Sequence, residues 1–575
     1  MDVHTAKVLE FDKIKDIVLT YAKTPLGAQQ ARDIDPARET DTVKKRLTLS
    51  VEYLKAYRDG FRLPIRGESP DPSPIIETLK TKGRRLKGKE LLTVLWICEL
   101  ASRLGKIAET GLEQWSGLKT LVRTIPDLDD LRVMISQTIE PSGLIRDDAS
   151  ELLSSLRHQM RTTRERIHSA LEAIIGSSAA VQDEVIVQRD GRYVVPIRAG
   201  SQGLVKGVIH GQSSSGQSVF VEPITIIDLN NRLRLLLDEE QEEVYRILAE
   251  LTEEIQYSLP EIEKTGEVIG KLDLLEAYSC FAEASKGAIP KVDDKGFMSL
   301  KEARHPLLCA GLAKRIKRPS GGKKVVPSSL TLDADTRMMI VSGPNAGGKT
   351  VLLKTVGLIQ LMFQSGIPVP VHPDTTLPVF RTIQADIGDQ QDMASSLSTF
   401  TAHLMTLGNI IEHHESPSLI LLDELGGRTD PAEGSALGMA IADHFLKQNA
   451  FVMITTHSEP LKVFAATTPG AINAAMEFDD GPTYRIIVGI PGSSNAFSIA
   501  SDIGFPSAIL GRARELRGET EAMVGQYVAE LQETMSELES AKRRVTERLN
   551  QAEVERQSYV KRREALDLEK KQILA

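Results

Sequence analysis

The stretch Val341-Ser-Gly-Pro-Asn-Ala-Gly-Gly-Lys-Thr350 has the residue types and spacing of a phosphate-binding loop, G-x-x-x-x-G-K-[ST]. An apolar run over 336–342 reads as a buried strand before it, and Val351, Leu352, Leu353 and Val356 read as a helix after it. At such a turn Gly343, Gly347 and Gly348 permit a tight backbone curl. The segment Gly343, Pro344, Asn345, Ala346, Gly347, Gly348 then points N–H groups at phosphate oxygens, and the helix N-terminus adds its positive dipole. Lys349 would reach the outer phosphates of a nucleoside triphosphate, and Thr350 would hold Mg²⁺. A second apolar run, Leu419 to Leu422, ends in the carboxylates Asp423 and Glu424. Asp423 would bind Mg²⁺ through water, and Glu424 would orient and deprotonate an attacking water. A third, Val452 to Thr456, ends in His457, which at such an edge can sense the γ-phosphate. Ser398 and Thr399 open a helix. Ser398 fits an N-cap, and the same helix end can bind an anion, so it could face the γ-phosphate of a partner subunit.

These residues need elements to hold them. A chain of 575 residues is enough for about three or four domains. The net charge of −9 argues against wholesale wrapping by nucleic acid and leaves room for local basic patches. Cys98, Cys280 and Cys309 are far apart and odd in number, which suggests neither a disulfide framework nor a zinc site and fits a reducing, cytoplasmic setting. No basic-then-apolar leader opens the chain. No apolar run approaches the ~18 residues of a membrane span, so no membrane partner is expected.

Residues 1–180 read as helices, the last of them long and spanning 147–175. Then the period changes. Val185 to Val195 reads as strand, Asp190-Gly191 turn and strand, a hairpin, and 204–210 and 218–221 add further strands. A Glu-rich helix from Ile226 to Leu259 follows. A small β module over 181–223 thus sits between two long helices, a tip on paired arms, with the second arm and core helices filling 224–289. Arg189, Arg192, Arg198, Lys206 and His210 make the tip basic, either as an ordinary solvated face or as a contact surface. Residues 290–515 read as the α/β nucleotide domain, with a basic loop at 314–324. Residues 516–575 show a heptad seam through Val524, Val528, Leu531, Met535 and Leu538, weakened by Lys542, Arg556 and Arg563. The chain stops inside this pattern without a cap, which predicts a longer parent chain whose missing part returns along the stalk.

Taken together, Gly343 to Thr350, the segment 389–400, Asp423-Glu424, Thr455-Thr-His457 and Arg304-His305-Pro306 resemble, in order, the MutS superfamily of ATPases. Gln212-Ser-Ser-Ser-Gly-Gln217 with Phe220-Val-Glu-Pro223, Thr429-Asp430-Pro431 with Glu433-Gly434, and Pro491-Gly with Ser494-Asn495-Ala496 are similar to its second bacterial lineage, MutS-two. The resemblance covers nearly the whole chain. It implies an all-α core and lever pair, a small β clamp, an ABC-type P-loop ATPase domain and a coiled coil. It also implies homodimers with composite ATP sites: Ser398-Thr399 completes the neighbour's site in trans, Asn345 lies near the γ-phosphate, and His305 lies near the adenine edge. The family resembles both a binder and endonuclease of branched DNA that restrains recombination and a sensor that splits collided ribosomes through rRNA contact.

Some features depart from the wider pattern. The mismatch-reading and connector domains of repair-type MutS have no counterpart in this sequence. Phe220-Val-Glu222 mimics the mismatch-reading Phe-x-Glu but falls in the β module. Leu566-Asp-Leu568 is similar to the start of the family's nuclease module, yet Glu569 stands where that module has Arg, so no nuclease residue is expected here. Leu425-Gly-Gly-Arg428 differs from the usual small-residue run after the carboxylates, and Arg428 could alter subunit contact. The competing reading is a structural ABC-like ATPase of the condensin kind. It predicts Leu-Ser-Gly-Gly and arms that split the nucleotide domain; here the arms precede the loop and Ser398-Thr-Phe400 replaces that signature. An ABC importer subunit predicts a membrane-coupling surface and no β tip. DNA and ribosome both present phosphates, so basic tip residues serve either.

Overall fold

The computed structural model describes residues 3–65, 67–81, 83–178, 181, 185–214, 216–313, 325–344, 347–388, 399–427, 429–478, 482–492 and 504–516. The expected stalk, the basic loop at 314–324, Asn345, Ala346, Ser398, Arg428 and the Thr399 side chain lie outside what is described. The chain forms two compact units, one of 1–18, 34–51 and 278–575, the other of 19–33 and 52–277.

The first unit is built on a six-stranded sheet. Strands Thr382–Asp386, Ser418–Leu422, Phe451–Thr455, Met338–Ser342 and Ala471–Phe478 lie side by side in parallel, and Pro482–Val488 closes one edge antiparallel. The strand sequences are near-continuous apolar runs because helices cover the sheet. Met338, Ile340, Ile420, Leu422, Val452 and Ile454 point to one face and pack with Leu407, Ile441, Phe445 and Leu461. Met339, Val341, Leu419, Leu421 and Met453, on the alternate positions, are equally buried. The register aligns the strand ends: Asp386 pairs with Leu422, Leu422 with Ile454, and Thr455 with Val341. The loops that follow these strands therefore emerge at one edge, the carboxyl edge where open α/β sheets bind ligands. A smaller sheet, in the order Lys291–Asp293, Thr376–Pro378, Met298–Ala303 and Ser328–Leu332, belongs to the same unit.

The helix Lys349–Gln364 is buried on nearly every side. Gly357 allows this, since a Cβ there would stand 2.6 Å from Leu421 Cδ1 and 2.8 Å from Leu9 Cδ1. Its buried amide N–H groups find local carbonyls. Gln360 donates to the Pro378 carbonyl at 2.7 Å, and Gln364 donates to the carbonyls of Ala37 at 2.7 Å and Phe380 at 2.9 Å.

Among the described residues the second unit is helical apart from a four-stranded antiparallel sheet with the order Val187–Arg189, Arg192–Arg198, Ser218–Pro223 and Gly207–Gln212. The Asp190-Gly191 turn has both residues at positive φ, 49° and 76°, as a two-residue hairpin of this hand requires. The strand expected at 204–210 starts later, at Gly207, because Gln202–Leu204 closes a single 3₁₀ turn that leaves Leu204 exposed. The sheet shares one core with the two long helices, Glu151–Ser177 and Ile224–Tyr257: Leu156, Ile167, Leu171, Val195, Ile197, Val219, Val221, Leu233 and Leu236. Ser150 starts the first of these helices, accepting from the Leu153 N–H at 3.0 Å and donating to Glu243 of the second at 2.6 Å. Arg157 adds a cross-helix bond to Glu240 at 2.9 Å.

The basic tip divides in two. Arg192 donates to Glu222 at 2.7 Å, His210 meets the other Glu222 oxygen at 2.6 Å, and Asn230 donates to Glu222 at 2.8 Å. Burial pushes the Glu222 carboxyl up, but the bonds from Asn230, His210 and Arg192 outweigh it and hold it below the usual range. Arg189 lies over the Phe220 ring, 4.4 Å from its centroid. Phe220 and Glu222, the pair that mimics a base-reading motif, are both buried in this arrangement. Arg198 and Lys206 remain exposed.

Candidate functional site

Three strand ends and one loop meet at the carboxyl edge of the six-stranded sheet. Gly343 leaves Ser342 at φ 133° and Gly348 enters the helix at φ 91°, conformations that side-chain-bearing residues rarely adopt. A Cβ on Gly347 would lie 3.1 Å from Met476 Cβ, so the loop also needs Gly there for room. Gly492 donates its N–H to Ser342 Oγ at 2.6 Å and braces the loop's entry.

Lys349 is buried and its ammonium crosses the loop, donating to the Gly343 carbonyl at 2.5 Å and to His457 Nε2 at 3.1 Å. Burial, with help from the Lys462 charge, lowers its pKa to about 8 against the opposing pull of Glu424 and Asp423. Partial burial and the cations of Lys349 and Lys462 likewise hold His457 below the usual imidazole range, which suits its role as acceptor. Thr350 Oγ1 donates to Asp423 Oδ2 at 2.9 Å. The loop hydroxyl and the strand-end carboxylate therefore already face one another, two hard oxygen donors of the kind Mg²⁺ takes.

Thr455 orders the Asp423 carboxylate and the backbone at Glu424. Its hydroxyl donates to Asp423 Oδ1 and accepts from the Glu424 N–H at 2.8 Å, while its carbonyl accepts from the Leu425 N–H at 3.0 Å. Glu424 is half-buried and sits at φ 54°, an uncommon conformation for a residue with a side chain. Strain of this sort concentrates at functional positions. Behind Asp423, its N–H donates to the Asp386 carbonyl at 2.9 Å, and the buried Asp386 carboxylate meets His403 Nδ1 on the helix Thr399–His413.

Of the residues expected in the site, Gly343, Pro344, Gly347, Gly348, Lys349, Thr350, Asp423, Glu424 and His457 converge at this edge. Asn345, Ala346, Ser398 and the Thr399 side chain lie outside the described residues. His305 is buried at the start of the one-turn helix Pro306–Leu308, which packs against the helix Lys349–Gln364. Sequence reasoning gave Thr455 no role of its own and missed Lys462 and the Asp386–His403 pair. Lys462 is buried, donating to Glu459 at 2.7 Å and to the Gly492 carbonyl at 2.8 Å. No local motif marks it. Thr455 stood inside a recognised stretch, and its position at the last residue of a strand beside Asp423 was the available signal.

The profile described as MutS domain V matches residues 339–521, the part of the chain that carries the loop and both later strand ends. A protein of Fusobacterium nucleatum subsp. nucleatum named Endonuclease MutS2 is 34% identical over 99% of this chain and 72% of its own length. Proteins of the same name are 34% identical in Halothermothrix orenii, over 100% of this chain and 72% of the relative, and 37% identical in Thermotoga petrophila, over 97% and 70%. With identity at this level running from one end of the chain to the other, and with the loop, carboxylates and histidine assembled at one sheet edge, the chain belongs to the MutS2 family.

Proposed function

We propose that the chain is an ATPase that uses Mg²⁺-ATP turnover to drive a clamp on nucleic acid. The observation that carries this reading is the convergence of Lys349, Thr350, Asp423, Glu424 and His457 at one carboxyl edge, where Lys349 meets His457, Thr350 meets Asp423, and Thr455 links Asp423 to the Glu424 backbone. In this reading the loop N–H groups and Lys349 bind and orient the phosphates. Thr350 and Asp423 would hold Mg²⁺, which when bound neutralises developing phosphate charge. Glu424 orients a water and takes its proton, and His457 reports the state of the terminal phosphate through its contact with Lys349. His305 is proposed near the adenine.

Membership in the family supports nucleic acid as the partner and a homodimer as the working form, with Ser398-Thr399 completing the neighbour's site. The proposed division is a helical core and first arm (1–180), a β clamp (181–223), a second arm (224–289), the ATPase domain (290–515) and a coiled-coil stalk (516–575). Branched DNA and ribosomal RNA are both proposed targets, in the cytoplasm. No helix among the described residues is long and apolar enough to cross a membrane.

The test is Glu424→Gln. The variant should keep ATP affinity and lose roughly 10²- to 10⁴-fold in steady-state hydrolysis, the range typical of a missing general base. Wild-type turnover would overturn the assignment. Co-sedimentation of the same variant with ribosomes and with branched DNA, at matched salt, decides between the two targets.

A further inference from the structure

Asp423, the acid that would hold Mg²⁺, is fixed from both neighbouring strands. On one side Thr455 ends the strand Phe451–Thr455, and its hydroxyl donates to the Asp423 carboxylate. On the other side the residues of Thr382–Asp386 pair one for one with Ser418–Leu422. The ladder then runs one bond further, from the Asp423 N–H to the Asp386 carbonyl at 2.9 Å. That bond uses only the backbone of Asp386. The side chain turns instead to the helix Thr399–His413, where its Oδ2 meets His403 Nδ1. Asp386 is 3% exposed and His403 4%, and among the described residues neither facing atom has another partner. On the helix His403, Leu407 and Ile410 follow one another by four and by three, the spacing of a single buried stripe, and all three are buried. Leu407 and Ile410 pack in the apolar core on one face of the sheet. An apolar side chain at 403 would complete that stripe at no loss of stability, because apolar groups of similar volume often match or exceed a buried ionic contact. What the contact adds is direction. Apolar packing tolerates a small slide or rotation of the helix, whereas one oxygen facing one ring nitrogen weakens steeply when either is displaced.

We propose that His403 is a positioning residue of the ATPase site. Through Asp386 it sets the backbone of Asp423, and so ties the seating of Mg²⁺ to the seating of the helix that opens at Thr399. The proposal deepens the Mg²⁺-ATP reading above and rests on it. His403 acts on the metal ligand through Asp386, as an outer partner whose loss weakens the metal site while the ligand itself stays in place. It lies one turn in from Thr399, so a displacement of the helix start moves the ring, then Asp386, then Asp423. In a dimer whose Ser398-Thr399 faces the neighbour's triphosphate, this contact would make Mg²⁺ binding in one site answer to the nucleotide held in the other.

Calorimetric titration of a non-hydrolysable ATP analogue, in Mg²⁺ and in EDTA, tests this without turnover, because the ratio of the two affinities reads the metal's contribution. His403→Leu should lower that ratio roughly ten-fold and leave the affinity in EDTA unchanged. His403→Asn, whose side-chain amide nitrogen can take the place of Nδ1, should recover most of the loss. The double variant Asp386→Leu/His403→Leu fills the same space with apolar groups and keeps the Asp386 backbone carbonyl. It should unfold at or above the wild-type temperature and still show the lowered ratio, and it carries the test if His403→Leu alone does not fold. A wild-type ratio in the double variant, or equal losses in Mg²⁺ and EDTA for His403→Leu, would overturn the proposal and leave the pair a structural latch. Asp423→Asn separates this from the reading beneath it. If Mg²⁺ does not tighten binding to wild type, or if Asp423→Asn leaves the ratio intact, the Mg²⁺ assignment itself fails and the role of His403 falls with it.

Discussion

Thr455 joins the two acids of the candidate site. Its hydroxyl donates to Asp423 and accepts from the Glu424 N–H, so one oxygen fixes the Asp423 carboxylate and the backbone that carries Glu424. Val is close to Thr in shape and keeps the β-branched form that suits a buried strand, but it can make neither bond. Thr455→Val should therefore preserve the sheet and disturb only the two acids. Losing two buried hydrogen bonds of about 1–3 kcal/mol each, if only part of that is felt in the transition state, predicts a fall of roughly ten- to hundred-fold in ATP turnover. Affinity for ATP should change much less, because Lys349 and the loop are untouched. Single-turnover hydrolysis and nucleotide titration on the same variant separate the two. A fall in affinity with unchanged hydrolysis would mean that Thr455 serves the loop instead.

Among the elements, the two long helices of the second unit depend on a junction that the sequence did not advertise. Glu243 is buried, and the bonds from Arg246 and Ser150 lower its pKa from the ordinary 4.5 to about 2. The folded chain thus holds this carboxylate ionised where the unfolded chain would protonate it. Its stabilising contribution is complete above about pH 4.5 and is lost as the pH falls from there toward 2. Glu243→Gln removes that proton linkage. The variant should be less stable than wild type at pH 6, and its stability should fall less steeply between pH 4.5 and 3, as followed by urea unfolding monitored by circular dichroism. Equal slopes would assign the acid sensitivity of this unit to other carboxylates. Elements of this kind show where sequence reading succeeds and where it stops. The long helices, the Asp190-Gly191 hairpin and the apolar strands ahead of Gly343, Asp423 and His457 were legible because local periodicity and turn chemistry decide them. The Ser150–Glu243 bond joins residues far apart in sequence, as does the bond of Glu222 with Arg192. No local pattern announces such pairs. The tip looked uniformly basic in sequence for that reason, although Arg192 and His210 are spent on a buried acid.

For the whole molecule, the proposed composite site makes a prediction that does not depend on any distance. Lys349 acts in the subunit that holds the triphosphate, and Ser398 is proposed to act on the triphosphate held by its neighbour. Dimers made only of Lys349→Ala chains have two disabled loops, and dimers made only of Ser398→Ala chains have two disabled signatures, so both should hydrolyse ATP poorly. Mixing the two variants in equal amounts and allowing exchange gives about half mixed dimers. In each mixed dimer one site combines the intact loop of the Ser398→Ala chain with the intact signature of the Lys349→Ala chain, while the other site carries both defects. About one quarter of all sites should then regain activity, from two preparations that are each nearly inactive. A site completed within one chain gives the opposite result, because every site in every mixed dimer would still contain one of the two defects. Turnover that stays at the level of the separate variants after exchange, with mixed dimers shown to be present by mass spectrometry, would place Ser398 in its own subunit's site and end the composite reading.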